Sequence, residues 1–483
     1  DLTVTLRPQD DIVTPNAQLT WRDNSNGFSY HNLQFGSPTA DHAVTLTNPI
    51  TLNSTNSATV TTFDNPNSSD DIGILSGDIT TDGPARPFLK RGVGTLWLQG
   101  TNDFGAGGKL EITGGRGSIL RAVDGQGLPA NANLYFNQGA FESSGDFSRN
   151  IGKNAGEVSW DANNGGFSAG GGPAGPDGEL HVYLNDAAKT GTVTIHRNSQ
   201  HDGFDKHKLY LGSATADNVV TLHNDLNGDL ENWVILLADN PAVTTDRAVI
   251  AGSLTNFDKL EIQGWPNPTP AELTINGSVS VGDNNQNLEV ENGAVVTIKG
   301  TVNTRGNSGT TTGDLIVQNN GKLTTDSTVN VSLLTVSTNG SLTANDAVTV
   351  GGGVIVQGSS VVDINSTMDV TIDINTKTDS ILTLNDDVTA NRIFAWTGST
   401  IMINQTVTAR TEGFFVKDTA STISGPGTLS LSSGRHVNVS GTLAPGDGVG
   451  AMNITGGGKL LMQDNSNYEW EVGASDTDTI NVT

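Results

Sequence analysis

Three consecutive blocks between Leu315 and Val362 repeat one pattern, and this repeat restricts the possible folds more than any other feature of the sequence. Each block has an alternating apolar and polar strand, a short polar corner and a second strand. The blocks begin at Leu315, Leu334 and Val354, so their spacing is nearly constant. Because successive side chains of a strand point to opposite faces, Leu315 and Val317 share one face of the first block.

A strand–corner–strand unit of this size cannot bury its apolar face alone, but stacked copies of the unit cover one another. The sequence therefore predicts an all-β fold, an elongated parallel β-helix or β-solenoid built from stacked coils of roughly 20 residues. A β-sandwich with strands of similar length is the alternative. The motif and the period that consecutive blocks share favour the solenoid.

The corners of these blocks carry Asn-Gly pairs, as at residues 292–293, 320–321 and 339–340. Asparagine and glycine adopt a positive φ at low cost, so we expect tight corners at these pairs. Asparagine side chains that are stacked in register could also form hydrogen-bonded ladders along the solenoid.

A longer repeat lies in the first half of the chain. The segment His31–Leu46 reappears in closely similar form as His207–Leu222. We therefore expect a first large solenoid repeat with inserted loops, a second and partial copy of it, and a regular short-coil solenoid with an uncapped C-terminal strand. These regions are residues 1–178, 179–270 and 271–483.

The charge of the chain is strongly acidic, with 51 Asp and Glu against 25 Lys and Arg and a net charge of −26. This balance argues against nucleic acids and anionic membrane surfaces as partners. No apolar run approaches the length of about 18 residues that membrane insertion requires. The chain has no cysteine, which excludes disulfides and thiolate sites and suits a secreted bacterial protein at the cell surface.

An acidic surface can bind divalent cations, and one segment has oxygen-bearing side chains at alternate positions, as calcium loops do. It lacks the glycine and the final acid of such loops, because Leu230 and Leu236 stand there. The segment is therefore a weak Ca²⁺ candidate, and a solvated turn is the alternative. The candidate ligands are Asp225, Asn227, Asp229 and Glu231.

Two tryptophans, Trp21 and Trp160, each precede an Asn/Gly turn that a second aromatic residue closes. The structural interpretation is that the two rings close a loop over the end of a coil. The functional interpretation is that Trp21 or Trp160 stacks on a sugar ring, in which case the protein is an adhesin that recognises cell-surface glycans.

The segment from Lys90 to Ala122 contains the pattern Lys-x-Gly-x-Gly-Thr-Leu-x-Leu-x-Gly-x-Asn, followed by a Gly-Gly corner. It resembles the autotransporter-associated β-strand repeat proteins, which are large secreted or surface proteins of bacteria. The segment from Gly441 to Thr483, which opens Gly-Thr-Leu-Ala-Pro-Gly, is similar to another part of that family. This resemblance implies a parallel β-solenoid at the cell surface and carries no catalytic residues to this chain.

The first and last strands of the sequence are apolar and have no polar cap. We therefore predict a structural subunit of an extracellular filament, sheath or surface layer, a homopolymer in which the end of one subunit meets the start of the next. The residues expected at this joint are Leu2, Val4, Leu6, Ile480 and Val482.

An enzyme acting on polysaccharides is a further hypothesis, because glycoside hydrolysis needs paired carboxylates. The pairs Asp70-Asp71 and Asp386-Asp387 are adjacent in sequence, and adjacent residues of a strand point to opposite faces. We therefore expect no enzymatic activity.

Overall fold

The chain folds into two compact units, Asp1–Gly252 with Trp265–Leu273 and Ser253–Gly264 with Thr274–Thr483. Both units are parallel β-solenoids, and the chain makes about 16 turns of roughly 24 residues each. The predicted all-β solenoid is therefore confirmed. The structure, a computed structural model, describes residues 4–6, 19–22, 32–37, 42–53, 57–64, 72–160, 164–170, 178–185, 191–195, 208–265, 271–281, 287–304, 313–446, 450–469 and 477–483. Among these residues, no helix has the length and apolar character needed to cross a membrane.

The strands of the first unit are short, because each crosses one side of a coil. They are β1 (Val4–Leu6), β2 (Leu19–Arg22), β3 (Asn32–Phe35), β4 (Val44–Leu46), β5 (Ile50–Asn53), β6 (Ala58–Thr62), β7 (Gly73–Leu75), β8 (Ile79–Thr81), β9 (Pro87–Arg91), β10 (Gly94–Leu98), β11 (Lys109–Thr113), β12 (Ser118–Ala122), β13 (Asn133–Asn137), β14 (Gly139–Ser143), β15 (Gly145–Arg149), β16 (Val158–Trp160), β17 (Gly165–Ala169), β18 (Leu180–Leu184), β19 (Thr192–Thr194), β20 (Lys208–Leu211), β21 (Val220–Leu222), β22 (Asp225–Asn227), β23 (Asn232–Leu237) and β24 (Ala248–Ile250).

The second unit has strands of similar length, except for two long ones that continue around a corner. They are β25 (Leu254–Phe257), β26 (Lys259–Gly264), β27 (Glu272–Ile275, which contains the unit boundary), β28 (Val279–Val281), β29 (Asn287–Glu291), β30 (Val295–Ile298), β31 (Val302–Asn303), β32 (Asp314–Val317), β33 (Lys322–Thr325), β34 (Val329–Val331), β35 (Leu333–Val336), β36 (Ser341–Ala344), β37 (Val348–Val350), β38 (Val354–Val356), β39 (Val361–Ile364), β40 (Met368–Val370), β41 (Asp373–Lys377), β42 (Ile381–Leu384), β43 (Val388–Trp396), β44 (Thr400–Ile403), β45 (Thr406–Val416), β46 (Thr422–Ser424), β47 (Thr428–Leu431), β48 (His436–Val439), β49 (Thr442–Ala444), β50 (Ala451–Thr455), β51 (Lys459–Met462), β52 (Asn467–Tyr468) and β53 (Thr479–Val482).

The strands of each unit form three faces of parallel strands around its solenoid. In the first unit, the first face runs β1-β3-β6-β9-β11-β13-β16, and the second face includes β4, β7, β10, β12, β14, β17, β20 and β23. The third face consists of β2, β5 and β8, and later of β15, β18, β21 and β24. In the second unit, β32, β35, β38 and β41 lie on the second face and are followed there by parts of β43 and β45, and then by β48 and β51.

The coil length varies along the chain. In the second unit, Leu315 pairs with Leu334 and Leu334 with Val354, so the short step predicted from these three blocks is confirmed there. In the first unit, Leu98 pairs with Ala122, which is a longer step. The predicted coil length is therefore too short for the first unit, and also for coils near both ends of the second, where Leu288 pairs with Leu315 and Ile454 with Val482.

The duplicated segment folds twice as strand, corner and strand, once as β3 and β4 and once as β20 and β21. Gly36 and Gly212 occupy the equivalent corner with φ of +76° and +89°. The two copies lie on different faces, because β4 belongs to the same sheet as β20. The duplication therefore preserves the local motif, while the loops inserted between the copies shift it by one face.

Columns of apolar side chains fill the interior of the second unit. The parallel register stacks one inward residue of each coil directly on the next, and five successive members of one such column are fully buried. Burial of each side chain contributes about 1.5–3 kcal/mol relative to exposure. This column includes Leu315, Leu334, Val354, Ile374 and Ile393.

The corners of the second unit repeat as regularly as its strands. Asn320 and Asn339 adopt positive φ angles of 64° and 61°, as expected from their sequence. Gly321 and Gly340 are needed for another reason, since a Cβ at either residue would approach the backbone oxygen of Val290 or Val317 to within about 2.4 Å. Close packing of successive coils, rather than a positive φ, therefore requires glycine at these two positions.

A ladder of side-chain amides follows another corner of the second unit. Each asparagine Nδ2 donates to the Oδ1 of the residue one coil earlier, over 2.6–2.9 Å. The first member is an aspartate, whose oxygens only accept, so it suits the end of the ladder that receives a hydrogen bond. The members, in order, are Asp326, Asn345, Asn365, Asn385 and Asn404.

We predict that Asn365→Ala lowers the free energy of unfolding by about 1 kcal/mol, because it removes one donated and one accepted hydrogen bond from an exposed site. Urea-induced unfolding of the full chain measures the change. Asn330→Ala is the matched control, since Asn330 points outward from β34 and its side chain has no hydrogen bond within the described part of the chain. Equal losses in the two variants would contradict a stabilising role for the ladder.

Candidate functional site

The last coil of the second unit, formed by β51, β52 and β53, has apolar side chains that no later coil covers. We call it the open coil. Met462, Tyr468 and Val482 are inward-facing residues of this coil, and their side chains are 40%, 39% and 49% exposed. Within the described residues, no strand pairs with the outer edge of β51, β52 or β53.

The inward positions of the preceding coil, which the open coil covers, are buried. Val439, Leu443 and Ile454 pair in register with Met462, Tyr468 and Val482, and all three are fully buried. The exposure of the open coil therefore comes from its uncovered face and not from a change in the sequence pattern.

Two of the residues predicted for the subunit joint lie on this coil. Ile480 and Val482 belong to β53, which pairs in parallel with β50, and Asn481 of the same strand donates to Asn453 Oδ1 over 2.9 Å. The pairing fixes β53 so that Ile480 and Val482 face the interior of the solenoid, in register with the buried Met452 and Ile454.

The other half of the predicted joint is described only in part. Strand β1, which includes Val4 and Leu6, pairs in parallel with β3, and its opposite edge pairs with no strand in the described part of the chain. Leu2 lies outside the described residues. The joint itself therefore stays a prediction.

The two tryptophans proposed for sugar stacking lie in strands. Trp160 is only 2% exposed, and its ring packs on Phe136 and Phe167 with centroid distances of 4.9 and 6.0 Å. Its indole N–H donates to the oxygen of Gly165 over 3.1 Å. This burial fits the structural interpretation and leaves no ring face for a sugar, so Trp160 is not a stacking residue. Trp21 belongs to β2, and most of its turn lies outside the described residues.

The candidate calcium ligands lie on β22 and on the turn that follows it. Asp225 and Asp229 are exposed, whereas Glu231 is buried, and the backbone N–H of Asp229 donates to Asn227 Oδ1 over 3.0 Å. In the parts of the chain that the structure describes, no three His, Asp or Glu side chains converge on a point that could hold a metal ion. Calcium binding at these four residues stays a prediction.

The adjacent carboxylates considered for catalysis are divided between described and undescribed parts of the chain. Asp70 and Asp71 lie outside the described residues. Asp386 and Asp387 lie at a corner, where Asp386 accepts from the N–H of Asp387 and Asp387 accepts from the N–H of Thr406. These bonds give both side chains a structural role at the corner.

Lys90, the first residue of the motif that carries the family resemblance, is fully buried at the corner between β9 and β10. Its Nζ donates to the oxygens of Gly92 and Arg91 over 2.8 and 3.3 Å, and to Ser118 Oγ over 3.0 Å. Burial lowers the pKa of Lys90 well below its ordinary value, while the nearby Asp64 opposes this shift. The Nζ of Lys90 thus has three oxygen acceptors, two at the corner and one on β12 of the next coil.

A second buried polar group, the Glu142 node, lies on the outer side of the second face. Glu142 accepts hydrogen bonds from Arg121 Nε at 2.5 Å, Ser213 Oγ at 2.6 Å and Thr215 Oγ1 at 2.9 Å. Ser168 Oγ lies 3.3 Å from the same carboxylate. These contacts attach the segment after β20 to β12, β14 and β17.

Sequence reasoning missed one exposed group of side chains, on the second face of the second unit. Phe394 and Trp396 alternate with the buried Ile393 and Ala395, and Phe415 lies beside Phe394 on the next strand. The available signal was the aromatic residues at outward positions in a chain with only 5% aromatics.

An acidic corner of the first unit contains a carboxyl group with a shifted pKa. Asp246 Oδ2 accepts from the N–H of Asn240 over 2.5 Å. Burial, together with the negative charges of Asp239 and Asp217, raises the pKa of Asp246 to about 6.

We predict that Lys90→Met lowers the free energy of unfolding by about 3 kcal/mol, because Gly92 O and Ser118 Oγ lose their donor in a buried corner. Urea-induced unfolding of the full chain measures the loss. Lys299→Met, at an exposed position of the second unit, should change stability by less than about 0.5 kcal/mol. A loss no larger than that of the control would show that the corner does not depend on Lys90.

We predict that Asp246→Asn stabilises the protein at pH 7 by roughly 1–2 kcal/mol and has little effect at pH 4. Because its pKa is raised in the folded state, Asp246 holds its proton there more strongly than in the unfolded chain, so stability falls as the pH rises from about 4 to about 6. Unfolding curves at both pH values test this. The exposed Asp82→Asn is the control, and an equal gain at pH 4 and pH 7 would contradict the prediction.

A scan against protein-family models and searches of curated proteins and of solved structures found no match to this chain. The fold class therefore rests on the strand pairing and burial described above. Those observations make the chain a parallel β-solenoid.

Proposed function

We propose that this protein is a structural subunit of an extracellular bacterial filament, sheath or surface layer, in which copies associate head to tail. The observation that carries the proposal is the open coil, with Met462, Tyr468 and Val482 uncovered. A further solenoid coil is the surface that fits it best. Such a coil would add strands to the free edges and would continue the inward columns of side chains.

A second copy of the chain can supply that coil. Strand β1 has one edge without a partner strand in the described part of the chain, and β53 has the complementary free edge. A contact between two different ends of a subunit leaves both outer ends free, so it propagates into a filament.

The proposed location rests on separate support. The pattern from Lys90 to Asn102 and the segment that opens at Gly441 resemble autotransporter-associated β-strand repeat proteins, which are exported to the bacterial surface. The hydrogen bonds of Lys90 give the first residue of that pattern a physical role at a solenoid corner. The absence of cysteine fits the same location.

We predict that the full chain forms polymers whose amount rises with protein concentration and with salt, because salt screens the repulsion between copies that carry a net charge of −26. Ile480→Asp or Val482→Asp would place a charge in the buried joint and should raise the concentration needed for polymers at least about tenfold. Sedimentation velocity and negative-stain microscopy measure both effects.

Thr479→Asp is the matched control, because it adds the same charge to β53 on the outer side of the solenoid, away from the interior. Polymers that persist in Ile480→Asp and Val482→Asp would contradict the proposed joint. A full chain that stays monomeric at every concentration would overturn the proposal.

A further inference from the structure

A row of aromatic and basic side chains, partly or fully exposed, crosses the outer side of the second face in the second unit. We call it the aromatic–cation strip. It lies on three neighbouring strands, β41, β43 and β45, and on the residue that follows β45, at positions that point away from the core. Its members are Lys377, Phe394, Trp396, Phe415 and Lys417.

The core does not require these aromatic residues. In β43, the inward positions are Ile393 and Ala395, and both are fully buried. Phe414 fills the equivalent inward position of β45. The rings of the strip are therefore additional to the packing of the solenoid, and Trp396 is 38% exposed.

The rings form one continuous surface. Phe394 and Phe415 stack with centroids 5.0 Å apart and planes 19° from parallel. Trp396 adjoins Phe394 with a centroid distance of 5.6 Å and a tilt of 51°. The surface of an indole ring is large and apolar, and polar ligands with apolar faces can pack on it.

Cations border these rings on both sides. Lys417 Nζ lies 4.5 Å from the Phe415 ring and 6.0 Å from the Trp396 ring. Lys377 pairs in register with Trp396 on the opposite side. In the described part of the chain, neither lysine forms an ion pair, so both ammonium groups can bind an anion.

A neighbouring arginine, unlike these two lysines, is paired with carboxylates of the protein. Arg392 lies over the Phe394 ring, but Asp373 accepts two of its hydrogen bonds, at 2.9 and 2.6 Å, and Glu412 lies 3.3 Å away. Its charge is balanced within the protein. The charges of Lys377 and Lys417 are available on a protein whose net charge is −26.

We propose that the aromatic–cation strip binds an acidic polysaccharide. The apolar face of a sugar ring would pack on Trp396, and the carboxylates of neighbouring sugars would pair with Lys377 and Lys417. At this site the two ammonium groups favour an anionic ligand over a neutral one, although the net charge of the chain is −26. The combination of ring faces with cations on both sides favours a polysaccharide over a flexible acidic peptide, which has charge but no sugar face to stack.

The test measures binding of the full chain to alginate, a polymer of uronic acids, by isothermal titration calorimetry. Dextran is the neutral sugar control, and polyglutamate is the control for charge without a sugar ring. We expect alginate to bind, dextran to bind at least about tenfold more weakly, and polyglutamate to bind no better than dextran.

Three variants assign the binding to the strip. Trp396→Ala and the double variant Lys377→Gln/Lys417→Gln should each weaken alginate binding about tenfold or more. Lys299→Gln, which removes an exposed positive charge elsewhere in the second unit, should leave it unchanged. Thermal unfolding of each variant checks that the solenoid is intact, which we expect because the altered side chains are outside the core.

Several outcomes would overturn the proposal. No binding of alginate, equal binding of alginate and polyglutamate, or equal binding by the wild type and the strip variants would each exclude a polysaccharide site on the strip. Loss of polymers in the strip variants without alginate binding would instead assign this surface to contact between copies. The strip lies apart from Ile480 and Val482, so failure at either place leaves the other test unaffected.

Discussion

Every coil of this protein depends on its neighbours for burial of its apolar side chains. A single turn has three short strands and one inward side for each, and it has no interior of its own. The parallel register provides that interior by stacking the inward apolar side chains of successive coils on one another, as in the column that contains Leu334, Val354 and Ile374. Stability is therefore a property of contacts between coils, and a coil with only one neighbour loses half of them.

The same register acts on polar side chains. Asparagines that repeat at one corner become a ladder, with Asp326 at the end that only accepts hydrogen bonds. Where the corners are irregular, as in the first unit, single buried groups replace the repeat. Lys90 supplies the donors for one corner, and Glu142 collects hydroxyl and guanidinium donors from four other residues. In the regular coils, many similar and individually weak amide hydrogen bonds thus stabilise the corners. In the irregular coils, a few fully buried polar groups do so.

The sequence was sufficient for features that repeat and insufficient for features that occur once. Alternation and period predicted the solenoid, the inward position of Leu315 and Val317 and the positive φ of Asn320. They gave no information on the loops of the first unit, so the predicted coil length was too short there. They also could not tell that Trp160 packs against Phe136, because the same aromatic–turn–aromatic pattern suits a buried ring and an exposed one. The aromatic–cation strip could be recognised only after the register had placed Phe394 beside Phe415 and Lys377 beside Trp396.

The Glu142 node has a mechanical consequence for the first unit. Thr215, which binds Glu142, also lies 3.2 Å from Thr95 Oγ1, so the node joins β10 to the segment after β20 across the intervening strands of the face. A pull along the stacking direction would peel an ordinary solenoid one turn at a time. Here the side-chain hydrogen bonds of the Glu142 node link the strands between β10 and β20 on the outer side of the face. We expect these strands to separate together under tension. Under increasing tension, these coils would therefore unfold together in one step when the hydrogen bonds of the node break, and not one coil at a time.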